Sequence, residues 1–235
     1  MPDSKRGFVP TDEKEFNQEN QIRLRKAQQD IIYLLNQGYP IKGASTYVGN
    51  HFMLSERQRL AIVRATAQKV ILEIRRKKLL TQDRIGKKVA IDGLNIIITL
   101  EVALSKSTLI RCMDGTIRDL AGLRGTYRII DKTEEAIRLL GDKLEELKIE
   151  EAVIYLDAPV SNTGRLKQKL LTLLTNYPYQ TTVELVNNPD SILEKLDNVI
   201  TGDAIILNKC KSWINLAADI IEEKLLDLEC INLKG

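Results

Sequence analysis

Three short segments each place an aspartate just past an apolar run. They are Ile91-Asp92-Gly93-Leu94-Asn95, Tyr155-Leu156-Asp157-Ala158-Pro159 and Val199-Ile200-Thr201-Gly202-Asp203. Short apolar runs bounded by turn residues read as buried strands. In parallel sheets, ligands bind in the crevice beyond the carboxyl ends of the strands. Three carboxylates gathered there would repel one another, and a divalent cation relieves that repulsion. Mg²⁺ suits such a place, because it takes one or two carboxylates, keeps several waters and binds substrate phosphates. Each aspartate alone reads equally well as a turn or helix-cap residue. Three at equivalent positions favour the metal.

The composition points the same way by exclusion. The chain has 235 residues, 32 Asp plus Glu, and one histidine, His51. A Ser-His-Asp triad would need His51 itself, and a His-rich zinc site is excluded. Cys112, Cys210 and Cys230 lie far apart, so a disulfide framework, a zinc ribbon and a redox pair are excluded too. There is no G-x-G-x-x-G after a strand, no P-loop and no G-x-S-x-G elbow. The chemistry left is that of oxygen ligands, a hard metal and phosphate.

The elements that would position these acids fall into two parts. Residues 1–88 hold 18 Lys plus Arg against 9 Asp plus Glu, a net of +9; residues 89–235 hold 17 against 23, a net of −6. This split suggests nucleic-acid binding by the first part. The plain alternative is that the two parts dock on each other, or on a second copy in a homodimer.

The basic part reads as helical. Leu24, Ala27, Ile31, Leu34 and Leu35 form one stripe over residues 20–36, with Gly38 and Pro40 ending it. Ser55 and Gln58 form a capping box that opens a second helix. Its expected buried face is Leu60, Val63, Ala67, Val70, Ile71 and Ile74. It ends in the run Arg75-Arg76-Lys77-Lys78, which could neutralise phosphates or simply face water. Tyr39, Tyr47, His51 and Phe52 lie in the turn-rich piece between the helices, where core packing competes with base stacking.

A boundary near residue 86 leaves residues 1–86 as a small all-α domain and residues 87–235 as an α/β domain. Strands are expected at residues 89–91, 108–113, 152–156, 182–186, 199–200 and 229–233. Helices are expected from Thr133, over residues 164–176 and over residues 213–226. Alternation of this kind argues for a mainly parallel sheet. No stretch is apolar enough to span a membrane, and no export signal is read, so a cytoplasmic protein is expected.

These residues also carry a resemblance. Asp92-Gly93-Leu94-Asn95, Leu156-Asp157-Ala158 and Ile200-Thr201-Gly202-Asp203 resemble the strand-end elements of PIN-like nucleases of the NYN type. Nearly the full chain resembles a family of unknown function, found in archaea and some bacteria, that joins a helical domain to a PIN-like domain. Its apparent hallmarks are Gln37-Gly38-Tyr39-Pro40, Asp114-Gly115-Thr116-Ile117-Arg118-Asp119 and Asp157-Ala158-Pro159-Val160-Ser161-Asn162-Thr163-Gly164, together with the Asp92 motif.

The resemblance implies a three-layer PIN-like domain and a Mg²⁺- or Mn²⁺-dependent ribonuclease. Asp92, Asp157 and Asp203 would be the metal ligands, and Asn95 would orient Asp92 or touch substrate. Glu101, Asp119 and Asp114 compete for a fourth acidic position. Glu101 and Asp119 rank first, because Asp114-Gly115 reads as a turn. Asp190 is a candidate for a further one. Arg118 would pair with a carboxylate or clamp a phosphate. Ser161 and Asn162 would cap the following helix or hold a phosphate there.

The leading expectation is RNA cleavage by the acidic part while the basic part holds RNA. The alternatives are a catalytically inactive RNA- or ribosome-binding module, and an assembly factor whose basic part meets an acidic protein.

Overall fold

A computed structural model of the chain describes residues 4–122 and 125–233. Val89 and Ile91 of strand β1 (Lys88–Asp92) enter one apolar cluster, while Ala90 between them enters another. A strand buried on both faces belongs in the middle of a sheet with a layer on each side. Strand β1 does lie there. It pairs in parallel with β4 (Glu151–Asp157) and β6 (Val199–Ile200). With β5 (Gln180–Val186) and β7 (Trp213–Ile214), the order is β5-β4-β1-β6-β7, parallel throughout.

Helices α6 (Gly93–Leu104), α7 (Thr133–Glu146), α8 (Thr163–Leu174) and α11 (Leu216–Lys224) cover one face. The short helices α9 (Pro189–Leu193) and α10 (Ala204–Lys209) cover the other, over Leu193, Ile206, Leu207 and Trp213. The result is a three-layer α/β fold preceded by a helical region, as expected. Helix α6 is apolar on nearly every side, and it is buried on nearly every side.

The helical region comprises α1 (Asp12–Glu15), α2 (Gln18–Asn36), α3 (Ile41–His51), α4 (Glu56–Ala65) and α5 (Lys69–Lys78). Its core of Leu24, Ala27, Ile31 and Ile62 extends directly into a second sheet, contacting Ile110, Cys112, Leu120 and Ile231. That sheet has the order β3 (Ile117–Asp119), β2 (Leu109–Arg111), β8 (Ile231–Asn232). Strands β2 and β3 run antiparallel, and β2 and β8 parallel.

Several expectations need correction. The turn-rich piece is helix α3, on which Tyr47 is exposed, as is Tyr39 before it. His51 is an exposed residue whose ring meets that of Phe52 edge-on. The second basic helix is two helices, broken at Thr66-Ala67-Gln68. Helix α2 holds that break through Gln28 Nε2 to Thr66 Oγ1 at 3.1 Å, and Gln68 Nε2 reaches the Leu35 carbonyl at 2.7 Å. The break shifts the buried face, so Ala61, Ile62 and Ala65 are buried while Leu60 and Val70 are exposed. Trp213 belongs to β7 instead of opening a helix, because it pairs with Val199. Residues 109–111 and 231–232 build the second sheet and not the main one. Among the described residues, no helix is long and apolar enough to cross a membrane.

Candidate metal and phosphate site

The main sheet reverses its winding at β1. After β1 the chain enters α6 on one face, and after β6 it enters α10 on the opposite face. A crevice therefore opens between the carboxyl ends of β1 and β6, as such reversals produce. Asp92 and Asp203 flank it. The two strand-end loops are tied together: Thr201 Oγ1 donates to Asp92 Oδ2 at 2.8 Å, and the Gly202 amide donates to Asn95 Oδ1 at 2.7 Å. The Asp203 amide donates to Thr201 Oγ1 at 3.0 Å, and Asp203 Oδ1 accepts from the amides of Ile205 and Ile206.

Gly93 explains the tight Asp-Gly-x-Asn spacing. A Cβ there would sit 2.6 Å from Leu156 Cδ2, 2.7 Å from Ile154 Cγ2 and 3.0 Å from the Tyr155 carbonyl. Without a side chain, the first turn of α6 closes onto β4, which keeps Asp92 beside the strand that ends in Asp157.

Asp92, Asp119, Asp157, Asp190 and Asp203 all line one pocket of about 580 Å³, with Asn95 at its wall. The helical region supplies Val63, Arg64 and Thr66 to the same pocket, so the site is shared between both parts of the chain. Asp190, in the first turn of α9, is the further acid that the sequence left as a candidate. Arg64 is one of the basic residues of α4. It reaches Asp119 at 3.5 Å, and Asp119 also accepts from Thr99 Oγ1 at 3.1 Å and the Ala121 amide at 2.8 Å. Nothing in the local sequence distinguishes Arg64 from the other arginines of α4.

The carboxylates feel one another. Burial pushes the Asp92 carboxyl up to about 7; the charges of Asp203 and Asp190 add to this, against the Thr201 hydroxyl and the Asn95 amide. Burial likewise raises Asp190, helped by Asp203 and Asp157, and burial raises Asp157. A set of hard oxygen donors that resist ionising together is what a divalent cation stabilises, so the donor chemistry fits Mg²⁺ or Mn²⁺. Among the described residues, no three Asp, Glu, His or Cys side chains stand together as a ready-made cage. The residues that would hold such a cation are those at the pocket wall, Asp92, Asp157 and Asp203.

Other expected site residues lie elsewhere or are already committed. Glu101 is fully buried in α6, accepts from Tyr127 Oη at 2.6 Å and from the Thr133 hydroxyl, and pairs with Arg6. It does not line the pocket and is not the fourth acid there. Arg118 lines the pocket, but its donors are used internally. Nε bonds the Gly202 carbonyl at 2.7 Å, Nη2 bonds Asp114 at 2.6 Å, and Nη1 bonds the Arg64 carbonyl. It positions the Gly202-Asp203 loop and does not clamp phosphate.

Asp114 begins the expected turn, its Oδ1 accepting from the Thr116 amide at 3.1 Å, and it also pairs with Arg75 and Arg118. Burial works to raise its pKa, but Arg118, the Thr116 hydroxyl and Arg75 outweigh that and hold it low. Arg75 is buried, bonded to Asp114 at 2.6 Å and to Asn208 Oδ1 at 2.8 Å, so it is no surface phosphate contact. Lys78 Nζ caps the Asn208 carbonyl at 2.9 Å, while Arg76 and Lys77 are exposed.

Ser161 and Asn162 do not line the pocket, and neither side chain caps α8. Asn162 adopts a left-handed backbone with φ 70° and uses Nδ2 to bond the Tyr127 carbonyl at 2.9 Å.

Residues 81–219 match the family described as a domain of unknown function, DUF5616. The chain belongs to that family. The helices before the DUF5616 part, residues 23–78, match a second family described as a protein of unknown function, DUF434. The two matches meet just ahead of β1. Across both, the chain is 36% identical over 204 residues to "Uncharacterized protein MJ0935" of Methanocaldococcus jannaschii, covering 86% of this chain and 98% of that one. No solved structure matches the chain.

Proposed function

We propose that the protein is a metal-dependent ribonuclease of PIN-like type, cutting RNA phosphodiester bonds in the crevice between β1 and β6. The observation that carries this reading is the gathering of Asp92, Asp157, Asp190 and Asp203 around one pocket at the carboxyl end of a parallel sheet. Asp92, Asp157 and Asp203 would hold Mg²⁺ or Mn²⁺, with Asp190 and Asp119 as further acids. Such a cation lowers the pKa of a bound water and offsets charge on the phosphate.

The chain's own residues would do the rest. Thr201 and the Asn95 amide fix the Asp92 carboxylate. The Asn95 side chain and Arg118 fix the loop that carries Asp203. Arg64, at the wall of the pocket, supplies the positive charge against which a phosphate could rest. The net charge of +9 over residues 1–88 supports RNA as the partner. Three free thiols, two of them buried, support a reducing, cytoplasmic setting.

A second reading, a non-catalytic RNA-binding module, is favoured by the lack of a ready-made three-donor cage among the described residues. Labelled RNA incubated with Mn²⁺ or Mg²⁺ separates the two. Cleavage by wild type that falls at least 100-fold in Asp92→Asn supports the nuclease. Equal cleavage by both proteins, or salt-sensitive binding without turnover, contradicts it.

A further inference from the structure

A second cleft adjoins the acidic pocket, and its charge is opposite. It has a volume of about 430 Å³, and Ala121 lines both. Lys5, Arg6, Arg57 and Arg128 line it, and among the described residues no carboxylate does. Two of these cations are structural. Arg6 pairs with Glu101, and Arg57 pairs with Asp12 at 2.7 Å while also holding the Leu120 carbonyl at 2.7 Å. The other two are exposed, and among the described residues no carboxylate pairs with either. Lys5 Nζ lies 5.2 Å from the Phe8 ring centre, which leaves its charge on the surface.

The wall between the clefts is built for contact. The segment Asp119-Leu120-Ala121 is gripped from α4 on both sides, by Arg64 at Asp119 and by Arg57 at Leu120. A rigid ridge thus separates carboxylates from cations. Carboxylates repel a phosphate chain unless a cation intervenes, whereas the two cations of this cleft that no carboxylate among the described residues neutralises, Lys5 and Arg128, attract it directly.

We infer that the cleft of Lys5, Arg6, Arg57 and Arg128 is an anion-binding subsite for the phosphodiester backbone of an RNA strand that crosses the Ala121 ridge into the carboxylate pocket. The path of the strand rests on the proposed nuclease reading; the subsite itself rests on its charge and shape. It gives the protein a grip on substrate that needs no metal, set beside a pocket that does. Lys5 and Arg128 are the free contributors, while Arg6 and Arg57 fix the floor.

The test is binding of a fluorescein-labelled single-stranded oligoribonucleotide in EDTA, titrated across salt. Wild type is compared with Lys5→Ala/Arg128→Ala, and with Lys87→Ala/Lys211→Ala at the opposite, amino-terminal end of the sheet. The exposed cleft residues can be truncated without opening the core. Their double variant should bind roughly tenfold more weakly at low salt, with a salt slope smaller by about 1.4, the value for two lost phosphate contacts on a single strand. The distal variant should bind as wild type does. Unchanged affinity and slope in the cleft variant, or an equal loss in both variants, would overturn the subsite. Because no metal is present, this result stands apart from cleavage: a protein that binds RNA through this cleft but never cuts it would refute the nuclease and leave the subsite standing.

Discussion

Asp92→Asn should stabilise the metal-free protein, and by an amount that grows with pH. Asp92 is nearly inaccessible, and its carboxyl titrates at about 7 against an ordinary value of 3.8. Burial is the main cause, followed by the charges of Asp203 and Asp190. The unfolded chain therefore releases this proton first as pH rises. Stability from this group is complete below the unfolded value, erodes between about 4 and 7, and is fully lost above 7. Three pH units at about 1.4 kcal/mol each give a penalty of about 4 kcal/mol at pH 8. Asparagine keeps the shape and still accepts the Thr201 hydroxyl, but carries no charge. In a chain of this length that corresponds to roughly 8–16 °C in Tm. The assay is urea unfolding of both proteins in EDTA from pH 4 to pH 8.5. The two should coincide near pH 4 and diverge as pH rises, with the variant the more stable. Parallel curves across that range would refute the claim that Asp92 is held against ionisation.

Three further outcomes follow from the same geometry. Gly93→Ala should cost about 1–3 kcal/mol, because its Cβ meets Leu156, Ile154 and the Tyr155 carbonyl at 3.0 Å or less; thermal unfolding reads this directly. Arg75→Met should cost about 3 kcal/mol or more in urea unfolding, because it takes one of two cations from the buried Asp114 carboxylate. Glu101→Gln should leave RNA cleavage per folded molecule at the wild-type rate; a 100-fold loss would return Glu101 to the active site.

Much of the candidate site could be read from the chain because strands are local. Val89 to Ile91 and Val199 to Ile200 are apolar runs, and the residue after such a run in a parallel sheet faces the crevice whatever the distant contacts are. Asp92, Asp157 and Asp203 were legible for that reason. Glu101 was misread because depth is not local: its place in the apolar helix α6 buries it, and its partners Tyr127, Thr133 and Arg6 come from far along the chain. The same holds for Arg75. It sits in a run of four cations that looks solvated, yet the break at residues 66–68 turns it inward onto Asp114 and Asn208. Strands β2 and β3 form a local hairpin, but β8 joins β2 from more than a hundred residues further along the chain, so a sheet separate from the main one was not visible. Arg64 reached the pocket by the same tertiary route, through the docking of α4 beside β3.

The most direct test of the metal site is a crystal of the wild-type protein soaked in Mn²⁺ and measured for anomalous scattering. The expected result is a peak in the crevice between β1 and β6, within ligand distance of Asp92, Asp157 or Asp203. A pocket without anomalous signal at saturating Mn²⁺, or a peak elsewhere on the protein only, would contradict it.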